Sequence, residues 1–175
     1  MIFKDIHELA KKLNEPDARN WYPDDIIKCP RPIIVTSGYF DPIHIGHIRC
    51  IQESKKLYSY FPNLPYIVVV VNSDEAAMRK KGKPSMPLDE RMEIVDAIKG
   101  VDFTTTWEDG SPTVIGALSL LRPDFFTKGG DRVDGNVPED EICKKIGCQI
   151  IYGVGGGKIQ SSSWLIKNSI QGEIK

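Results

Sequence analysis

GYFDPIHIGH, residues 38–47, stands between PIIVTS at 32–37 and IRCIQESKKL at 48–57. The first flank is short, apolar and β-branched, as a buried strand is. The second reads as a helix, here expected over His47–Tyr60 and ending near Pro62. The quoted stretch is therefore a strand-to-helix loop. Gly38 allows a tight turn, and Gly46 lets a ligand approach the backbone. The start of the helix offers unpaired N–H groups and a positive dipole end. His44 and His47 add two directional donors aimed at the same place. The loop reads as a seat for an anion, most naturally a phosphate chain.

Outward from this loop the chain alternates between strand and helix. Ile33–Thr36, Tyr66–Val71, Val101–Trp107, Asp124–Thr127 and Gln149–Tyr152 read as strands. YIVVVV at 66–71 is apolar on both faces, as in a parallel sheet covered by helices. Between the strands lie expected helices at Leu88–Ile98, Pro112–Leu121 and Glu139–Ile146, with a short one capped by Ser73 and a last one at Ser162–Ile170. Ser111 is a candidate cap for the Pro112 helix, and Pro112 suits a first turn. Repeated βα units of this length predict an α/β fold: an open, mostly parallel, five-stranded sheet with helices on both faces. In such sheets ligands bind beyond the C-terminal strand ends, where connections diverge to the two faces. Residues 1–31 read as a preamble with a short amphipathic helix built on Ile2, Phe3, Ile6, Leu9 and Leu13, and 32–175 as the main domain. The preamble's apolar face must be covered somewhere, which suggests a subunit contact.

Bulk properties bound the function. The 175 residues carry a formal net charge of −1, so there is no global basic field for nucleic acid. No apolar run approaches the ~20 residues of a membrane helix, and MIFKDIHELAKK lacks a signal-peptide pattern. Four cysteines without a CxxC pair fit a reduced, cytoplasmic chain. Zinc is a weak alternative for the two histidines, because no cysteine or carboxylate accompanies them at a typical spacing. Asp41 serves either as a ligand or as a cap of the turn. GVGGGKIQSSS at 153–163 is not a P-loop: Lys158 is followed by Ile159, Tyr152 occupies the first glycine position, and the segment follows the last strand. It reads instead as a flexible approach to a helix whose start, Ser161, Ser162 and Ser163, offers hydroxyls and N–H groups to phosphates, with Lys158 as counter-charge.

GYFDPIHIGH resembles the HxGH signature of the nucleotidyltransferase superfamily, which includes cytidylyltransferases and several adenylyltransferases. VNSDE (71–75), KGKPSMPLDERMEIVDAIKGVD (81–102), PDFFTKGGDR (123–132) and IQSSSWLI (159–166) resemble further family segments in the family's order. The likeness covers residues 32–170 and is especially close to the adenylyltransferase domains of ADP-heptose synthases and to glycerol-3-phosphate cytidylyltransferases.

The resemblance implies a Rossmann-like domain and nucleotidyl transfer: an acceptor phosphate attacks the α-phosphate of a nucleoside triphosphate, and pyrophosphate leaves. An ionised phosphate needs no strong base, so alignment and charge stabilisation carry the work. His44 and His47 are the expected catalytic donors, with Lys55 as a mobile positive charge. Ser37, Gly38, Tyr39, Phe40, Asp41, Gly46, Lys128, Gly129, Asp131, Lys158, Ser161, Ser162 and Ser163 are the expected nucleotide contacts. Arg91 is either an acceptor-phosphate clamp or half of a structural ion pair. Magnesium is expected with the triphosphate, without a dedicated protein cage. The implied substrate pair is ATP and a small phosphorylated sugar or polyol, in a homo-oligomer without nucleic-acid or membrane partners. CTP with a glycerol-phosphate-like acceptor and a non-catalytic nucleotide-binding regulator remain as alternatives.

Overall fold

The structure, a computed structural model, describes residues 1–15, 31–58, 64–130, 137–157 and 160–171. In chain order the elements are β1 (Ile2–Phe3), α1 (Ile6–Asn14), β2 (Ile33–Gly38), α2 (Ile45–Lys56), β3 (Tyr66–Asn72), α3 (Asp74–Lys81), α4 (Leu88–Asp96), β4 (Phe103–Trp107), α5 (Ile115–Leu121), β5 (Phe125–Gly129), α6 (Asp140–Ile146), β6 (Gln149–Val154) and α7 (Ser162–Gln171). The strands form one sheet in the order β1-β4-β3-β2-β5-β6, and every pairing is parallel.

The sheet has six strands where the sequence predicted five. The added strand is β1, whose two residues pair with Thr104 and Thr105 of β4. The sequence places Ile2 and Phe3 on the apolar face of the preamble helix; they form this strand ahead of it instead, two residues being too few to show a strand's period. The Met1 ammonium fixes the strand, lying 2.6 Å from Asp96 and donating to the Asp102 carbonyl. The apolar face of α1 is covered by the chain itself rather than by a second subunit. Ile6, Leu9, Ala10 and Leu13 are buried in one cluster with Val114, Ala117, Leu118 and Leu121 from the start and body of α5.

Side-chain alternation divides the sheet between two cores. Ile33, Val35, Val68 and Val70 face the α1, α5 and α6 side. Ile34, Ile67, Val69 and Val71 pack with Ile51 of α2 and with Met92 and Val95 of α4. The period of two in β2 and β3 sends successive residues to opposite helical layers.

Several helix boundaries differ from the sequence reading. Ser73 caps α3 as expected, accepting from the Ala76 N–H at 2.9 Å. The helix expected from Pro112 begins at Ile115 instead. Ser111 accepts from the Thr113 N–H at 3.1 Å, closing a local turn ahead of the helix rather than capping it. α2 begins at Ile45, two residues before His47, and its expected end at Tyr60 lies outside the described residues. β2 is the position where the connections diverge: β3 lies on one side of it and β5 on the other. The loop after β2 therefore opens onto the crevice where this architecture takes its ligands.

Candidate active site

His44 and His47 occupy the N-cap and third helical positions of α2. The Gly46 N–H donates to His44 Nδ1 at 3.2 Å, and the His44 N–H donates to His47 Nδ1 at 3.3 Å. These reciprocal bonds make a capping box in which imidazole nitrogens stand where Ser and Glu oxygens commonly do. The two rings stack at 3.8 Å with a 24° interplanar angle, and Phe40 packs on His47 at 4.9 Å. Each Nδ1 accepts a backbone N–H, so each neutral ring carries its proton on Nε2. A Cβ at Gly46 would sit 3.0 Å from His44 Nδ1, so any larger residue would push on the imidazole.

The rings line a cavity of about 610 Å³ at the C-terminal edge of the sheet. Ser37, Gly38, Tyr39 and Phe40 line it from the end of β2 and its loop, as do Gly46, Lys128, Gly129, Ser161, Ser162 and Ser163. The start of α7 is tied to the histidine loop: Ser162 Oγ donates to the Pro42 carbonyl at 2.9 Å, and Ser161 Oγ accepts from the Trp164 N–H at 3.2 Å. Gly155, after β6, has φ +87°, and a Cβ there would lie 2.7 Å from the Cys50 backbone nitrogen. The glycine-rich segment can therefore lie directly on the α2 backbone. Asp131 and Lys158 lie outside the described residues.

Three expected site residues do not join this group. Lys55 belongs to the opposite end of α2, where its ammonium donates to Asp102 at 2.5 Å and to the Pro65 carbonyl at 2.7 Å. Eight residues of helix beyond His47 span about 12 Å, which carries Lys55 to the N-terminal edge of the sheet. Arg91 is fully buried and holds Met86 O, Tyr39 O, Asn72 O and Asp74 Oδ1. The geometry favours the structural one of the two readings offered above, since four of its five N–H donors are spent on the protein and the side chain is fully buried. Asp41 is 1% exposed, and its carboxylate accepts from the Ser85 and Met86 N–H groups. It fixes the loop rather than facing the cavity.

Other lining residues were not singled out from the sequence, although Asn72 falls within VNSDE at 71–75. Asn72, Lys80, Thr113 and Glu139 come from four separate segments. Lys80 sits in the last turn of α3. Arg79 beside it is paired with Glu108 at 2.8 Å. Burial raises the Glu108 carboxyl, but hydrogen bonds from Ser73, Arg79 and the Gly110 N–H outweigh that and hold it below the ordinary value. Glu139 is 4% exposed and lies 3.5 Å from Lys128, whose ammonium also sits 4.3 Å from the Phe126 ring centroid. Burial raises the phenol of Tyr39, partly offset by a hydrogen bond with Asn72. Burial likewise pushes up the Cys50 thiol on the cavity wall. Among the described residues no group of three or more His, Cys, Asp or Glu could hold a metal ion, and no helix is long and apolar enough to cross a membrane.

Residues 35–156 match the family model described as cytidylyltransferase-like. The bifunctional protein HldE of Hahella chejuensis is 34% identical over 135 residues, covering 76% of this chain and 25% of that protein. The HldE protein of Nitratiruptor sp. is 30% identical over 124 residues, covering 70% of this chain and 25% of its own length. The chain thus spans about a quarter of the length of the curated relatives it matches. The crystal structure of the lipopolysaccharide core biosynthesis protein from Thermoplasma volcanium aligns with a TM-score of 0.56 at 27% identity, over 69% of this chain and 94% of that one.

Proposed function

The chain belongs to the cytidylyltransferase-like family, and from that premise we propose that it transfers a nucleoside monophosphate from a nucleoside triphosphate, ATP by preference, to a small phosphorylated sugar or polyol, releasing pyrophosphate. The observation that carries this reading is the stacked pair His44 and His47 at the N-terminus of a 12-residue helix, facing the same cavity as the start of α7.

Each part of the cavity has a role in this reading. The helix start and the two Nε2–H groups donate to the triphosphate, and these bonds strengthen as charge grows at the α-phosphorus and the leaving group. Ser161–Ser163 receive the departing β- and γ-phosphates at the start of α7. The Nδ1 bonds hold both rings before the substrate arrives, so little reorganisation is needed at the moment of reaction. Lys80 takes the acceptor phosphate. It lines the cavity, while Arg79, Arg91 and Lys55 are engaged by Glu108, Asp74 and Asp102. Magnesium enters as part of the triphosphate substrate.

The preference for ATP and a sugar phosphate rests on KGGDR at 128–132 and on the likeness to HldE proteins. Pyrophosphate release, measured with ATP and CTP against a panel of sugar and polyol phosphates, tests it. Turnover with ATP and a sugar phosphate is expected. Turnover with CTP alone would overturn the nucleotide assignment, and nucleotide binding without turnover on any acceptor would overturn the enzymatic one.

A further inference from the structure

CKKIGC, residues 143–148, closes α6 and opens β6. Gly147 adopts the left-handed conformation with φ 75° and ψ 19°. The Cys148 N–H donates to the Cys143 carbonyl at 2.8 Å, and the Gly147 N–H donates to the Lys144 carbonyl at 3.4 Å. These are the two bonds of a Schellman motif, in which the residue after the glycine packs its side chain against the residue three positions before the helix cap. That contact is usually between two apolar side chains. Here both partners are cysteine, and the Cys148 thiol donates to the Gln149 carbonyl at 3.8 Å. Both are free thiols in the α1, α5 and α6 core, 1% and 7% exposed.

We propose that Cys143 and Cys148 form a reversible redox site, closing to an intramolecular disulfide when the chain meets a peroxide. The backbone motif already places the two side chains side by side, so closure needs rotation about side-chain bonds rather than rearrangement of the helix or strand. The Cys143 thiol attacks the peroxide: an S–O bond forms, the O–O bond breaks, and one water leaves with the thiol proton. Cys148 then attacks the Cys143 sulfur: the S–S bond forms, the S–O bond breaks, and a second water leaves. Two electrons pass from the two sulfurs to the peroxide. Cys143 attacks first because the neighbouring Cys148 thiol holds it below the ordinary thiol range, while Cys148 itself is pushed up. α6 is only seven residues long, so local opening at its end gives a small oxidant access.

The test uses the full chain and hydrogen peroxide, followed by alkylation, trypsin and mass spectrometry. Trypsin cuts after Lys144 and Lys145, so the disulfide would join two otherwise separate peptides. The expected result is a linked Cys143–Cys148 species that dithiothreitol abolishes. In Cys148→Ser, which leaves the attacking thiol unresolved, a sulfenic-acid trap such as dimedone should label Cys143. Alkylation of Cys143 as complete as before peroxide, linkage to Cys29 or Cys50 instead, or labelling of Cys148 in a Cys143→Ser variant would each overturn the proposal.

Discussion

Replacing Arg91 with methionine separates a structural residue from an anion clamp. The guanidinium is fully buried and makes bonds of 3.1 Å to Met86 O, 2.7 Å to Tyr39 O, 2.8 Å to Asn72 O and 2.5 Å to Asp74 Oδ1. Methionine fills similar space but donates nothing. Three carbonyl oxygens then lose a donor at about 1 kcal/mol each, the low end for a buried acceptor, because a carbonyl has two lone pairs. Removing one partner of a buried ion pair costs ~3–5 kcal/mol. The lower figure applies, since the Asp74 side chain is 35% exposed and water reaches it. The carbonyl and ion-pair losses are separate, so the total is at least about 3 kcal/mol. For a chain of this size that lowers the melting temperature by roughly 6–12 °C or more. Urea unfolding measures the free energy directly, and acceptor KM, measured below the melting transition, should change less than threefold. The reasoning fails if Arg91→Met unfolds within about 0.5 kcal/mol of the parent while acceptor KM rises tenfold.

Other sites give sharper separations of fold from chemistry. His44→Asn retains an acceptor for the Gly46 N–H but removes the Nε2 donor, so stability should hold within about 0.5 kcal/mol while pyrophosphate release falls roughly 100-fold; an equal loss in both would make His44 a cap only. Lys55→Ala should cost about 1–3 kcal/mol through its lost bonds to Asp102 and Pro65 yet leave kcat within threefold, and a larger fall in kcat at full folding would return Lys55 to the catalytic group. Gly155→Ala places a Cβ 2.7 Å from the Cys50 nitrogen at φ +87°, so a thermal melt should show a loss of about 2 kcal/mol or more. The depressed Glu108 carboxyl stabilises the fold above its unfolded value near 4.5, and that contribution vanishes as pH falls through the lower native value. Glu108→Gln should therefore melt below the parent at pH 7, and the gap should close in acid; a gap of the same size at both pH values contradicts the assignment.

Local chemistry made the histidine loop readable. An apolar strand, a glycine-bracketed loop and a helix start are contiguous in sequence; His44, Gly46 and His47 are near neighbours in it, and the serines at 161–163 are consecutive. Their places at two helix starts follow from spacing over a few residues. Arg91 and Lys55 were readable as cations, but their pairing with carboxylates was not. Those partners, Asp74 and Asp102, lie 17 and 47 residues away. Lys80 and Glu139 carried no signal, because neither has a local pattern that distinguishes it from a solvated helix residue. β1 was hidden for a similar reason: two apolar residues become a strand only when the edge of β4 is there to pair with them.

The sequence alone determined the alternation of strands and helices and the β2–α2 loop as the place where the crevice of the sheet opens, since periodicity, glycine placement and helix-end chemistry act over short distances. Tertiary structure decided which charges remain for a substrate. Whether a lysine or arginine meets a ligand or a neighbouring carboxylate depends on which distant segments the sheet order brings together, and no short-range rule encodes that.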